Sequence, residues 1–266
     1  MRLHDRVALI TGAAAGIGAG VARRFAREGA SLWLCDIDGA ACAALADALH
    51  HSHGVAVQSS ACDVTVQDQV LATVQAAIAH FGRVDILVNN AWGRRPGQRG
   101  YAAVQDLQTE DVDWAMDMAP KAALWAMQAV QPGMRARGWG RIINMCSLNG
   151  VNAHPYTGDY NMAKEALRTL TRTAAREWAA DGICCNAICP GAATEAYRQF
   201  AKANPDNAAQ LLRLNPMGRM GDPENDIGSV ALFLASDDCR YLTGNTLFVD
   251  GGSHINGVPW LPQTKA

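Results

Sequence analysis

Short β-branched, apolar runs alternate with longer alanine-rich segments of helical period along most of the 266-residue chain. The runs at 7–11, 31–36, 55–61, 84–89, 140–146, 183–187 and 246–249 predict strands. The segments near 17–28, 39–50, 66–81, 115–135, 158–180 and 223–235 predict helices. Apolar strands alternating with helices imply βαβ units and a parallel sheet covered on both faces. Right-handed crossovers then give a doubly wound α/β sheet of about seven strands. No internal repeat, charge block or Pro/Ser-rich linker divides the chain, so residues 1–266 read as one domain.

Two segments break the rhythm. Residues 92–113 form a long polar connection, and residues 190–222 follow the sixth strand with Pro, Gly and Asn throughout. Long connections at the carboxyl ends of parallel strands are where ligands bind in this architecture. The second therefore reads as a substrate loop or lid, with a plain surface loop as the alternative, and residues 253–266 read as a C-terminal tail.

Hydrophobic residues make up 49% of the chain and charged residues 18%, which excludes disorder. A net charge of −2 gives no reason to expect nucleic acid or an acidic membrane as partner. No run approaches the ~18 uninterrupted apolar residues of a membrane span. The N-terminus enters a strand pattern at once, without a signal-peptide core, so a cytoplasmic protein is expected. Eight scattered cysteines with no Cys-x-x-Cys pair read as reduced core residues, and no metal site is expected. Cys184 and Cys185, adjacent in a strand, should point to opposite faces.

Thr11 to Gly18 (TGAAAGIG) lies between the first strand and the first helix. Gly12 can make the sharp turn, Gly16 lets backbone approach a pyrophosphate, and Gly18 lets the helix pack close. The helix N-terminus offers N–H donors to phosphate. In this strand–turn–helix context the glycines indicate a Rossmann-type dinucleotide site. Asp36, ending the second strand, is placed to accept hydrogen bonds from the adenosine ribose. A carboxylate there repels a 2′-phosphate, and the loop holds no Lys or Arg, so NAD is expected over NADP. Asp38 reads as a helix N-cap. Asp63 is a candidate acceptor for the adenine amino group, with helix capping as its alternative.

Tyr160 and Lys164 are spaced i, i+4 and share one face of a helix. A lysine ammonium one turn away favours the phenolate, which makes the tyrosine a candidate proton-transfer group. Ser147, just past a strand end, could polarise a substrate carbonyl. Taken with CDV at 62–64, NNA at 89–91, YNMAK at 160–164, NAICPG at 186–191 and FVDGG at 248–252, the chain resembles the classical short-chain dehydrogenase/reductase family over almost its whole length.

The resemblance implies an NAD-dependent oxidoreductase acting on a small secondary alcohol or ketone. Ser147 would hold the substrate oxygen, Tyr160 would move its proton, and Lys164 would bind the nicotinamide ribose while lowering the tyrosine pKa. Gly12, Gly16, Ile17, Gly18, Asp36, Asp63, Val64, Asn89 and Ala91 would lie along the cofactor. Pro190 and Gly191 would pass over the nicotinamide, and Thr194 is the candidate for its carboxamide, although Glu195 falls nearer the usual spacing. Asn89-Asn90 otherwise reads as a strand-end turn. Relatives commonly form dimers or tetramers, and the nearly all-apolar segment 122–130 suits a partner helix, so a homodimer or homotetramer is expected. Trp125 and Trp178 read as core or interface residues, and 258–262 as a segment that packs across such an interface or frays.

The sequence departs from the family where Trp92 replaces a usual Gly and where Ala119 falls on a catalytic Asn. Pro120, next to Ala119, removes an N–H and should kink the helix in the Asn's place. The rival reading is a weakly active or non-catalytic NAD(P)-binding scaffold. On the substrate side, Trp92, Asn149 and His154 are candidate pocket residues. Arg94, Arg95 and Arg99 could bind a substrate anion or be solvated.

Overall fold

A computed structural model describes residues 1–98 and 100–255. Arg99 and the segment 258–262 lie outside the described residues, as does the tail from residue 256 on. Seven strands pair in the order β3-β2-β1-β4-β5-β6-β7, every pair parallel. They are β1 (Val7–Thr11), β2 (Ser31–Asp36), β3 (Val57–Ala61), β4 (Ile86–Asn89), β5 (Gly140–Met145), β6 (Ile183–Pro190) and β7 (Thr246–Val249). The fold is the expected doubly wound α/β sheet. β6 runs beyond residue 187, because Ile188 and Cys189 continue the pairing with Leu247 and Phe248 until Pro190 ends it.

Alternate strand residues feed two separate cores, as the two-residue pleat requires. On one face Leu9, Leu87, Ile142 and Cys185 meet α3 (Gln67–Phe81) and the later helices at Ala122–Arg137 and Gly158–Trp178, with Trp125 and Trp178 partly buried against the core. On the other face Ala8, Ile10, Leu32 and Ile188 meet α1 (Gly16–Arg27), α2 (Gly39–His53) and the last helix. All eight cysteines are buried and unpaired. Cys185 joins the first core while the Cys184 thiol faces the Cys239 and Arg240 carbonyls. No helix of the described residues is long and apolar enough to cross a membrane.

The two irregular segments contain more helix than their composition suggested. The helical run begins at Thr109, earlier than residue 115: α4 (Thr109–Met116) passes through a π-turn at Asp117–Lys121 into α5 (Ala122–Arg137). Glu110 and Asp111 in its first turn favour the helix dipole. Pro120 lies inside the π-turn, and the Ala122 N–H reaches back to the Asp117 carbonyl, five residues away. The missing proline N–H is thus absorbed by a local widening of the helix. After β5 come the short α6 (Leu148–Val151) and the long α7 (Gly158–Trp178).

The segment 190–222 holds two helices, α8 (Glu195–Ala203) and α9 (Pro205–Leu214), where an irregular loop was expected. Thr194 caps α8, and Pro205 opens α9 at its first position, where a proline starts a helix instead of breaking it. A second π-turn (Pro223–Ile227) leads into α10 (Gly228–Ala235) on the α1 side of the sheet.

Candidate active site

β1 pairs with β2 on one side and β4 on the other, so the chain leaves these neighbouring strands in opposite directions and opens a crevice at their carboxyl ends. Thr11 and Asn90 lock that point. The Thr11 hydroxyl accepts the N–H groups of Asn90 (3.0 Å) and Ala91 (3.1 Å), while the Asn90 amide donates to the carbonyls of Thr11 (3.0 Å) and Gly12 (2.9 Å).

The glycine turn is fixed by space as much as by conformation. Gly12 has φ +64°, and a Cβ there would stand 2.7 Å from Ala91 Cα; at Gly18 it would stand 2.1 Å from the Gly12 carbonyl oxygen. Gly16, at φ +55°, meets nothing nearer than Thr194 Cγ2 at 3.4 Å. The first turn of α1, with Ile17 half-buried, has no side-chain cap. The Asp36 carboxylate accepts from the Ala14 N–H (3.0 Å) and the Asp38 N–H (3.1 Å), so it holds the glycine turn and keeps a lone pair on each oxygen. Asp38 caps α2 through the Ala41 N–H, as expected. Asp63 accepts from the Thr65 N–H and hydroxyl (2.9 and 2.7 Å) and does not cap α3, whose N-cap is Val66. Gly12, Asp36, Asp63, Val64, Ala91 and Trp92 border a cleft of about 210 Å³.

Ser147, at the end of β5, and Tyr160 and Lys164, on α7, come together beyond this cleft. The Ser147 hydroxyl lies close enough to the Tyr160 phenol to lower its pKa, and it accepts the Asn149 N–H (3.1 Å). The buried Lys164 Nζ donates to the Met145 carbonyl at 2.8 Å, 5.7 Å from the centre of the Tyr160 ring. Burial pushes the Tyr160 phenol above its ordinary value, and Ser147 opposes this. Burial also lowers the Lys164 ammonium to about 8. The expectation that Lys164 pulls the tyrosine pKa down is therefore corrected: desolvation is the largest influence on both groups, and Ser147, not Lys164, is what lowers the phenol.

The remaining candidates fall into three groups. Asn89 turns its side chain into the core, donating to Asn144 (2.8 Å), which donates in turn to Thr171 (2.8 Å). It also borders a small cavity of about 20 Å³, together with Thr11, Ala119 and Lys164. Pro190 and Gly191 face Ser147 and α9 across a cleft of about 400 Å³. The Thr194 hydroxyl accepts the Tyr197 N–H (3.3 Å), and its methyl lies over Gly16. Trp92, Asn149 and Tyr160 line a third cleft of about 230 Å³. His154 is exposed and hydrogen-bonds Thr157, outside the residues that line any of these clefts. Arg95 pairs with Asp111 at 2.7 Å, while Arg94 stacks over Tyr101 (5.1 Å) and borders two of the clefts.

Sequence reasoning missed two elements of the site. Asn90 looked like a turn residue, and its staple across two strands depends on long-range pairing. Gln98 and Asp159 line the third cleft, and no local pattern distinguishes them from solvated polar residues. Trp92, a candidate pocket residue in the sequence, stands directly beside the chemistry: its ring lies 4.6 Å from that of Tyr160, edge to face, and 5.0 Å from Lys164 Nζ. Among the described residues no cluster of His, Cys, Asp and Glu is placed to hold a metal.

A family model described as enoyl-(acyl carrier protein) reductase matches residues 12–254. The chain is 41% identical to the oxidoreductase UcpA of Salmonella typhimurium, over 96% of each protein. It is 37% identical to a 12alpha-hydroxysteroid dehydrogenase of a Clostridium species, over 93% of this chain and 96% of that one. The crystal structure of a putative short-chain alcohol dehydrogenase from Sinorhizobium meliloti superposes with a TM-score of 0.87 at 32% identity, covering 94% of this chain and 97% of that chain.

The Lys164 environment has a measurable consequence. Because its folded pKa is about 8 against 10.5 ordinarily, the unfolded chain binds the extra proton between those values, and stability rises with pH across that window. Relative to Lys164→Met, the wild-type protein should gain roughly 3 kcal/mol between pH 7 and pH 11 in denaturant titrations. A difference that stays flat would contradict a lysine desolvated in this way.

Proposed function

We propose a function from the premise that this chain belongs to the classical short-chain dehydrogenase/reductase family: it is an NAD(H)-dependent oxidoreductase that interconverts a secondary alcohol and a ketone through Ser147, Tyr160 and Lys164. The observation that carries this reading is a half-buried tyrosine beside Ser147 and one helical turn from a buried lysine, at the crevice of a doubly wound sheet.

Family membership implies a nicotinamide cofactor, and the crevice fits one. The uncapped first turn of α1 and the open approach to Gly16 suit a pyrophosphate. The free lone pairs of Asp36 suit ribose hydroxyls and repel a 2′-phosphate, which favours NAD. Ile17, Asp63, Val64, Asn89 and Ala91 would follow along the dinucleotide, Pro190, Gly191 and Thr194 would close over its nicotinamide end, and Lys164 would hold the nearby ribose. When bound, the nicotinamide supplies or accepts the hydride at its C4.

The protein's own groups handle the oxygen and the proton. Ser147 donates to the substrate oxygen and fixes its position. Tyr160, held as a neutral phenol by burial, gives its proton to the developing alkoxide in reduction and takes it back in oxidation. The 20 Å³ cavity between Lys164, Asn89, Thr11 and Ala119 has room for one water. Such a water could accept from Lys164 and donate to the Ala119 carbonyl, which shares the Ala122 N–H with Asp117. In this reading Pro120 maintains the widened turn that relatives form around an Asn. The scaffold alternative draws on Ala119 alone, and no observation favours it. The eight reduced thiols support a cytoplasmic setting, and the partly buried Trp114 and Trp125 on α4 and α5 support a homodimer or homotetramer.

Three variants test the assignment. Tyr160→Phe should lower turnover by about 10²- to 10⁴-fold while the NAD Kd stays within a few-fold, and unchanged turnover would remove Tyr160 from the mechanism. Asp36→Ala should erode the preference for NAD; an unaltered NAD/NADP ratio of kcat/KM refutes the ribose role. The double variant Ala119→Asn, Pro120→Leu should not raise turnover, and a large increase would show that Pro120 does not replace the Asn.

A further inference from the structure

On that reading the dinucleotide takes the clefts at Asp36 and at Pro190–Gly191, which leaves the third cleft, over Tyr160, for the substrate. Its walls are made of Trp92, Arg94, Gln98, Asn149, Asp159 and Tyr160, among others. Several of these polar groups are left without protein partners. Gln98 donates to one Asp159 oxygen at 2.7 Å, and the other oxygen accepts nothing among the described residues. The side-chain amide of Asn149 makes no hydrogen bond there, and the Arg94 guanidinium has a ring beneath it but no carboxylate. Arg95, one residue on, is paired, so the free charge belongs to the residue that borders the cleft.

We propose that this cleft binds a polyhydroxylated substrate, a polyol whose reacting carbinol lies against Tyr160 and whose other hydroxyls bridge Arg94, Asn149 and Asp159. A hydroxyl both donates and accepts, so a run of them can satisfy a carboxylate oxygen, an amide and a guanidinium at once. The cation and the carboxylate offset each other, which gives a polyanion no net attraction. An apolar alcohol would cover the same groups and leave them unpaired, a loss that discriminates strongly in sites built to hydrogen-bond a hydroxyl. The Trp92 indole supplies a flat apolar wall, suited to the C–H face of a sugar chain or ring.

The test compares hexitols and pentitols with 2-hexanol and a hydroxysteroid, following NADH absorbance, alongside calorimetric binding of the same hexitol to the protein saturated with NAD. The preferred hexitol should exceed 2-hexanol in kcat/KM by about 100-fold or more, since the cleft is partly open and reaches less than the limit for a closed site. Gln98→Ala and Asp159→Asn should each raise the hexitol KM about tenfold, lower the preference for hexitol over 2-hexanol in kcat/KM by at least as much, and keep the NAD Kd within twofold. Turnover of 2-hexanol or the steroid with hexitols inert, or no calorimetric hexitol binding, overturns the substrate class and leaves the oxidoreductase reading standing. Failure to bind any nicotinamide dinucleotide, with no turnover of any alcohol, overturns the oxidoreductase reading itself and the substrate class with it.

Discussion

The parallel pairing of β1 with β4, tied at its carboxyl end by Thr11 and Asn90, is the contact on which the rest of the site depends. It sets the switch point of the sheet, so the turn at Gly12 and the segment beginning at Ala91 diverge from one place. The crevice between them is narrow because glycines allow it: a methyl group at Gly12 would collide with Ala91, and one at Gly18 with Gly12. Asp36 extends the same lock, since its carboxylate fixes the Ala14 end of the turn while lining the cleft. β5 and α7 then bring Ser147, Tyr160 and Lys164 to the next position along the strand ends.

Desolvation shapes the chemistry of that position. Lys164 has one carbonyl and one indole face for its ammonium, so its charge is held at a cost, and Tyr160 remains a phenol. A sequence reading that places Tyr and Lys one turn apart sees the attraction between their charged forms. It does not see the burial that penalises both, because that depends on Met145, Trp92 and the helix passing through Ala119.

The fold was legible because its signals are local and repeated: apolar runs, helical period, and glycines at a strand–helix junction. The Ser147, Tyr160 and Lys164 constellation was legible through spacing and family resemblance together, and the Asp38 cap through local sequence. The helices at 195–203 and 205–214 were hidden by the proline and asparagine that cap and start them. The cleft-lining roles of Gln98 and Asp159 were hidden because residues sixty-one positions apart meet only after the connection folds over α7. His154 shows the reverse case, a histidine near the motif whose bonds serve its own loop.

Isotopic labelling checks the proposed direct hydride transfer at this crevice. The enzyme would be incubated with a ketone it reduces and NADH deuterated at C4, in ordinary water, and the alcohol analysed by mass spectrometry and NMR. Direct transfer puts one deuterium on the carbinol carbon for each labelled hydride consumed, and none at that carbon when the label is supplied as D₂O with unlabelled NADH. Solvent deuterium on the carbinol carbon, or NADH oxidised without label reaching the product, would contradict it.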